Sequence, residues 1–172
     1  MTIGTVHPDY GDSSAPAPAW SEIDARLTAA QLYWMVTVRT DGRPHAVPLC
    51  GVWRDGEFVF VTGEQEQKMR NLEANPQVTV TAGPLGAEGW STGKDIAVEG
   101  VVERITDDDE LRRLARLWHD KYGDDWTFEA REGQFFEVGE SSEGHGGANV
   151  FRVPPTKVLV FGDDHGQTRY RP

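Results

Sequence analysis

Apolar and polar positions alternate in short runs along most of the chain, the period of two that places successive side chains on opposite faces of a strand. Residues 33–39 (YWMVTVR) are rich in β-branched and aromatic side chains and predict a strand. Asp41–Gly42 supplies the positive φ of a hairpin turn, and residues 45–53 predict a second strand, interrupted by Pro48. A second Asp-Gly turn at residues 54–56 leads into a third strand, EFVFVT, at residues 57–62. These three strands read as a meander, and both of their faces are apolar, which suits a barrel wall or a subunit interface better than a half-solvated sheet. The period then changes. Residues 64–74 place Met69 and Leu72 on one helical face, and Asn75–Pro76 stops the helix.

Further strands are expected over residues 77–82, 94–105, 149–153, 156–161 and 167–171, with Gly100 marking a bulge or bend. Thr106 followed by three aspartates is a helix start, with Thr106 as the capping hydroxyl. Leu111, Leu114, Ala115 and Trp118 form the buried stripe of that helix, and Gly123 ends it. A short helix is expected over residues 20–31 from the near-helical spacing of Ile23, Leu27 and Leu32. Residues 1–19 read as a flexible lead-in, residues 83–93 as a glycine-rich loop and residues 124–148 as irregular. The pattern predicts a mainly β, antiparallel domain over residues 20–172, closed as a Greek-key or meander barrel with peripheral helices.

Composition narrows the function classes. The chain has 172 residues, with 17 Lys+Arg against 28 Asp+Glu, a formal net charge of −11. With no basic block, neither a nucleic-acid surface nor an anionic membrane surface is expected. Cys50 is the single cysteine, so no intrachain disulfide can form, and it reads as a small buried apolar residue. The five histidines are not paired at ligand spacing, and no metal site is expected. The first twenty residues lack the basic and apolar regions of a signal peptide and no apolar run approaches the length that spans a bilayer, so a cytoplasmic protein is expected.

The usual catalytic signatures (GxSxG, P-loop, HExxH, GxGxxG at a strand-to-helix turn) are missing. The informative segment is residues 61–72, where a strand meets the Thr62–Gly63 turn and then a helix start. The first turn of a helix has unpaired N–H groups and suits a phosphate. Gln67, Lys68, Arg70 and Asn71 lie within about one turn of each other, next to the apolar wall at residues 47–51. A flat ring with a phosphate tail fits that combination. The same residues also fit an ordinary solvated helix face, since Glu64–Lys68 and Glu66–Arg70 are i, i+4 pairs. Glu64 and Glu66 repel a phosphate unless they turn away or pair with the cations. Trp118 reads as core, whereas Trp90 and Trp126, in loops, are candidates for substrate contact.

Residues 37–80 carry, in order, DGRPHAVPL, GVW-DG, an F-V-F strand and K-x-RNL-x-x-NP. This ordered set resembles the pyridoxamine 5′-phosphate oxidase-like split-barrel flavoproteins, and more narrowly their flavin/deazaflavin oxidoreductases. The tail at residues 155–172 is similar to the close of that subgroup, and the resemblance covers residues 25–172. It implies a split β-barrel homodimer with a cofactor groove between subunits. The cofactor implied is FMN or the deazaflavin coenzyme F-420, which would pass a hydride to or from an electron-poor small molecule. It implies that Lys68, Gln67, Arg70 and Asn71 hold the phosphate, that Thr62 and Gly63 approach it, and that Pro48, Leu49 and Gly51 line the ring edge. The family's vitamin B6 oxidases carry Ser-Arg-Lys where this chain has Glu66–Gln67–Lys68, so the resemblance points to the deazaflavin-like subgroup. No catalytic side chain is identified. The same barrel could instead store or sense a flavin-like or tetrapyrrole ligand without turnover.

Overall fold

The computed structural model describes residues 2–84, 88–89, 91–138, 146–164 and 166–171. Trp90 and His145 lie outside the described residues, as does much of the glycine-rich stretch before Ala148.

Two antiparallel sheets share one core. The first contains β1 (Gly4–Gly11), β2 (Tyr33–Val38), β3 (Pro44–Leu49), β6 (Gln77–Ala82), β7 (Asp95–Val101), β12 (Pro155–Gly162) and β13 (Gly166–Tyr170). Its order is β1-β13-β12-β7-β6-β2-β3. The second contains β4 (Gly51–Arg54), β5 (Glu57–Gly63), β8 (Glu103–Ile105), β9 (Phe128–Arg131), β10 (Gln134–Glu137) and β11 (Ala148–Val153). Its order is β4-β5-β11-β10-β9, with β8 also pairing to β11. The helices are α1 (Trp20–Ala29), α2 (Gln67–Ala74) and α3 (Asp108–Tyr122), and residues 124–126 form one 3-10 turn.

This is a split barrel, two open sheets, where the strand pattern alone suggested a closed cylinder. The difference arises at Cys50. The segment read as one strand, residues 45–53, is β3 in one sheet and β4 in the other, and the chain changes sheets between Leu49 and Gly51. Each hairpin turn is as expected: Gly42 has φ 84°, and Asp55 and Gly56 have φ 54° and 80°. Gly100 sits opposite a register shift in β12, and a Cβ there would stand 2.5 Å from the Pro154 carbonyl oxygen, so only glycine fits.

Three other expectations are corrected. Part of the lead-in, residues 4–11, is a strand paired to β13 with Gly4 opposite Tyr170. The stretch 124–148 holds the β9–β10 hairpin, whose turn uses Glu132 and Gly133 at φ 55° and 70°. The cap of α3 is Asp107, not Thr106: its carboxylate accepts the Glu110 N–H at 2.7 Å.

The two apolar faces of the β4–β5 hairpin explain the packing. Phe58 and Phe60 point into the core with Tyr33, Met35, Val80, Val98, Phe151 and the α1 residues Ile23 and Leu27. Val52 and Val59 point the other way, onto Leu111, Leu114 and Trp118 of α3. A strand buried on both faces reads as a continuous apolar run, as EFVFVT does. Among the described residues, no helix is long and apolar enough to cross a membrane.

Candidate functional site

The sheet change at Cys50 and the end of β5 open a cavity of about 630 Å³, a size that suits a small-molecule ligand. Pro48, Leu49 and Cys50 form one wall, with Leu32 beside them. Val61, Thr62 and Gly63, which end β5, form the floor with Ala148, the residue opposite Gly63 in β11. Asp125, Trp126, Phe128 and Glu137 close the far side. Trp126 meets Phe128 edge-on at 6.0 Å between centroids and tilts against Tyr122 at 5.8 Å.

The polar end is built by the turn into α2. Glu66 donates its N–H to the Gly63 carbonyl at 3.2 Å, which folds the turn back on itself. One Glu66 carboxylate oxygen accepts the Gly63 N–H at 2.8 Å, and the other is ion-paired with Lys68 Nζ. Lys68 is the one cation lining the cavity among the described residues, and it is only 8% exposed. Burial pushes the Glu66 carboxyl up, but the hydrogen bonds from Lys68 and Gly63 outweigh it and hold the group below its usual range.

Behind Cys50 lies a second polar group that sequence reasoning missed. Gly51 donates its N–H to Tyr122 Oη at 2.9 Å, and its carbonyl accepts from Lys121 Nζ at 2.9 Å. Lys121 also donates to Tyr33 Oη at 3.2 Å and sits 4.9 Å from the centre of that ring. Burial pushes the Lys121 ammonium down to about 8 and the Tyr122 phenol up to about 12. Burial also raises the Cys50 thiol, which stays protonated at neutral pH. Cys50 is half-buried and faces the cavity, so it is a wall residue where a core residue was expected.

The structure brings Lys68, Thr62, Gly63, Pro48, Leu49 and Trp126 to this one cavity. It places four other candidates elsewhere. Gln67 Nε2 donates to Asn71 Oδ1 at 2.8 Å, and Asn71 Nδ2 donates to Thr37 Oγ1 at 2.8 Å. That buried chain ties α2 to β2 and leaves neither amide facing the cavity. Arg70 is exposed and does not line it. Gly51 lies one residue behind the wall, where a Cβ would run into Phe58. Trp90 lies outside the described residues. Phe128 and Glu137 were hidden in the stretch read as irregular; the Glu132–Gly133 turn between FEAR and QFFE was the signal for their hairpin. Among the described residues, no three His, Cys, Asp or Glu side chains converge to hold a metal ion.

The family profile described as pyridoxamine 5′-phosphate oxidase matches residues 19–161. No curated protein sequence matches the chain. Solved structures share the fold at low identity. A FAD-binding protein from Mesorhizobium loti is 22% identical, with 90% of this chain and 96% of that one covered and a TM-score of 0.59. A structure described as an F420 reductase is 21% identical over 78% of this chain and 94% of that one, with a TM-score of 0.55. HutZ, a heme storage protein from Vibrio cholerae, is 18% identical over 85% and 95%, with a TM-score of 0.61.

Proposed function

The chain belongs to the pyridoxamine 5′-phosphate oxidase family, and on that premise we propose that it is an oxidoreductase working with FMN or the deazaflavin coenzyme F-420. The observation that carries the reading is the buried Lys68 ammonium at the end of an otherwise largely apolar cavity. A buried cation needs an anionic partner, here the half-exposed Glu66 carboxylate, whose place a ligand's phosphate would take, and the apolar walls suit a flat ring.

The residues present fit such a group. Lys68 and the Gly63 N–H would hold the phosphate, with Thr62 beside them, and Pro48, Leu49 and Trp126 would flank the ring. When bound, the ring supplies a hydride carrier. The chain binds it, orients it against the wall at residues 48–50 and excludes water with Trp126 and Phe128. Cys50 holds a proton on the cavity wall. The substrate is an electron-poor small molecule such as an enone, a quinone or an imine.

The working unit in this reading is a homodimer. Leu32 and Trp34 are 59% and 53% exposed, and Trp34 stands between Pro48 of β3 and Thr81 of β6. Val36 and Ala46 continue this apolar face. Leu32 and Pro48 also line the cavity, so a second copy on this face would close the ring site. Sedimentation should give a dimer; a monomer at micromolar concentration would count against the shared site.

The experiment is a titration with FMN and, separately, with F-420, each then repeated with the cofactor in its reduced form before a quinone or enone is added to accept the hydride, with a proton from solvent. Binding with product formation is the expected result. Binding without product turns the reading to a storage or sensing protein. A haem titration is the control: the cavity has no histidine among its described lining residues, so weaker binding than FMN is expected.

A further inference from the structure

Glu66 holds both positive groups at the polar end of the cavity. Its two carboxylate oxygens take the Gly63 N–H and the Lys68 ammonium, the two donors that an incoming phosphate would need. The carboxylate therefore stands where the ligand's anion would stand, and the pair carries no net charge. The two side chains differ in freedom. That of Lys68 is 10% exposed and that of Glu66 is 47% exposed. Glu66 can turn out to water while Lys68 stays in place, because the long lysine stem is packed and the glutamate lies at the rim. Asp125 and Glu137 add two more carboxylates to the lining and no further cation, so the surrounding field does not help a phosphate displace Glu66.

We propose that Glu66 is an internal ligand of the anion seat, displaced when a phosphate binds, and that it sets how strongly the site prefers a phosphorylated ring over its dephospho form. This rests on the cofactor reading above and adds the residue that tunes it. Glu66 here is a specificity residue; no bond is made or broken at it.

The test compares FMN with riboflavin, which carries the same ring without the phosphate, by quenching of flavin fluorescence. Glu66→Gln keeps an oxygen to accept the Gly63 N–H and removes the charge. FMN should bind this variant at least tenfold more tightly than the original protein, and riboflavin should change less than twofold. Glu66→Ala should shift FMN in the same direction. In the double variant Glu66→Gln/Lys68→Met the gain should vanish, because the released ammonium is what the phosphate uses. Unchanged or weaker FMN binding in Glu66→Gln, with Lys68→Met still weakening FMN, overturns the role of Glu66 and leaves the cofactor reading standing. Failure of the original protein and every variant to bind FMN, riboflavin or F-420 overturns both.

Discussion

Lys68→Met should weaken FMN binding about 10- to 100-fold, roughly 1.4–3 kcal/mol, the range for losing one charge-assisted hydrogen bond at a sheltered site. Methionine matches the length and apolar stem of lysine, so packing under α2 is kept and only the ammonium is lost. The loss also leaves the Glu66 carboxylate at the polar end of the cavity with the Gly63 N–H and the Thr62 hydroxyl as partners and no cation. A phosphate would then meet an uncancelled negative charge. Circular dichroism should show the fold unchanged, since the half-exposed Glu66 carboxylate keeps its hydration where it stands. Fluorescence titration reads the affinity. Unaltered binding in a folded variant would mean that Lys68 belongs to an ordinary charged helix face.

The second large effect is on stability. Trp118→Ala should cost about 3–5 kcal/mol, the usual range for emptying a large aromatic site in a core. Trp118 has no exposed surface and meets the edges of Phe128 and Phe135, at 6.4 Å and 5.9 Å between centroids. Removing it uncouples α3 from the β9–β10 hairpin. The melting temperature should fall by about 6–20 °C for a domain of this size. Phe128 also lines the cavity, so flavin affinity should fall as its support is lost. Trp118→Phe should cost far less. The indole Nε1 has no hydrogen-bond partner among the described residues, and phenylalanine removes that unsatisfied donor while keeping most of the ring contact. Calorimetry on the two variants checks the order; equal losses would mean that the indole N–H is satisfied in solution.

The sequence pattern made the strands legible where local chemistry decides them. The Asp-Gly turns at Gly42 and Gly56 set two hairpins, and the stripe through Trp118 set the buried face of α3. The sheet change at Cys50 was not legible, because alternation says which side chains face together but not which sheet a strand joins. β1 was hidden for a related reason: its residues have weak strand preference, and pairing with β13 supplies what propensity lacks. At the site, Lys68 stood out as a cation just after a strand-to-helix turn. Gln67 and Asn71 shared its spacing, yet they bond to each other and to Thr37. A one-dimensional pattern cannot separate a polar group aimed at a ligand from one satisfied by its neighbour. Phe128 and Glu137 are partners in the β9–β10 hairpin, which the Glu132–Gly133 turn marks locally; the pairing of β10 with β11 that brings the hairpin to the cavity is not marked there.

In the proposed reading, a buried lysine beside the β5–α2 turn receives the anionic end of a planar redox cofactor. A crystal structure of the protein soaked with FMN tests it most directly. The expected density has the phosphate on Lys68 Nζ and the Gly63 N–H, the Glu66 carboxylate swung toward solvent, and the ring along Pro48 and Leu49. Density that places the flavin elsewhere, with Glu66 still paired to Lys68, would contradict it.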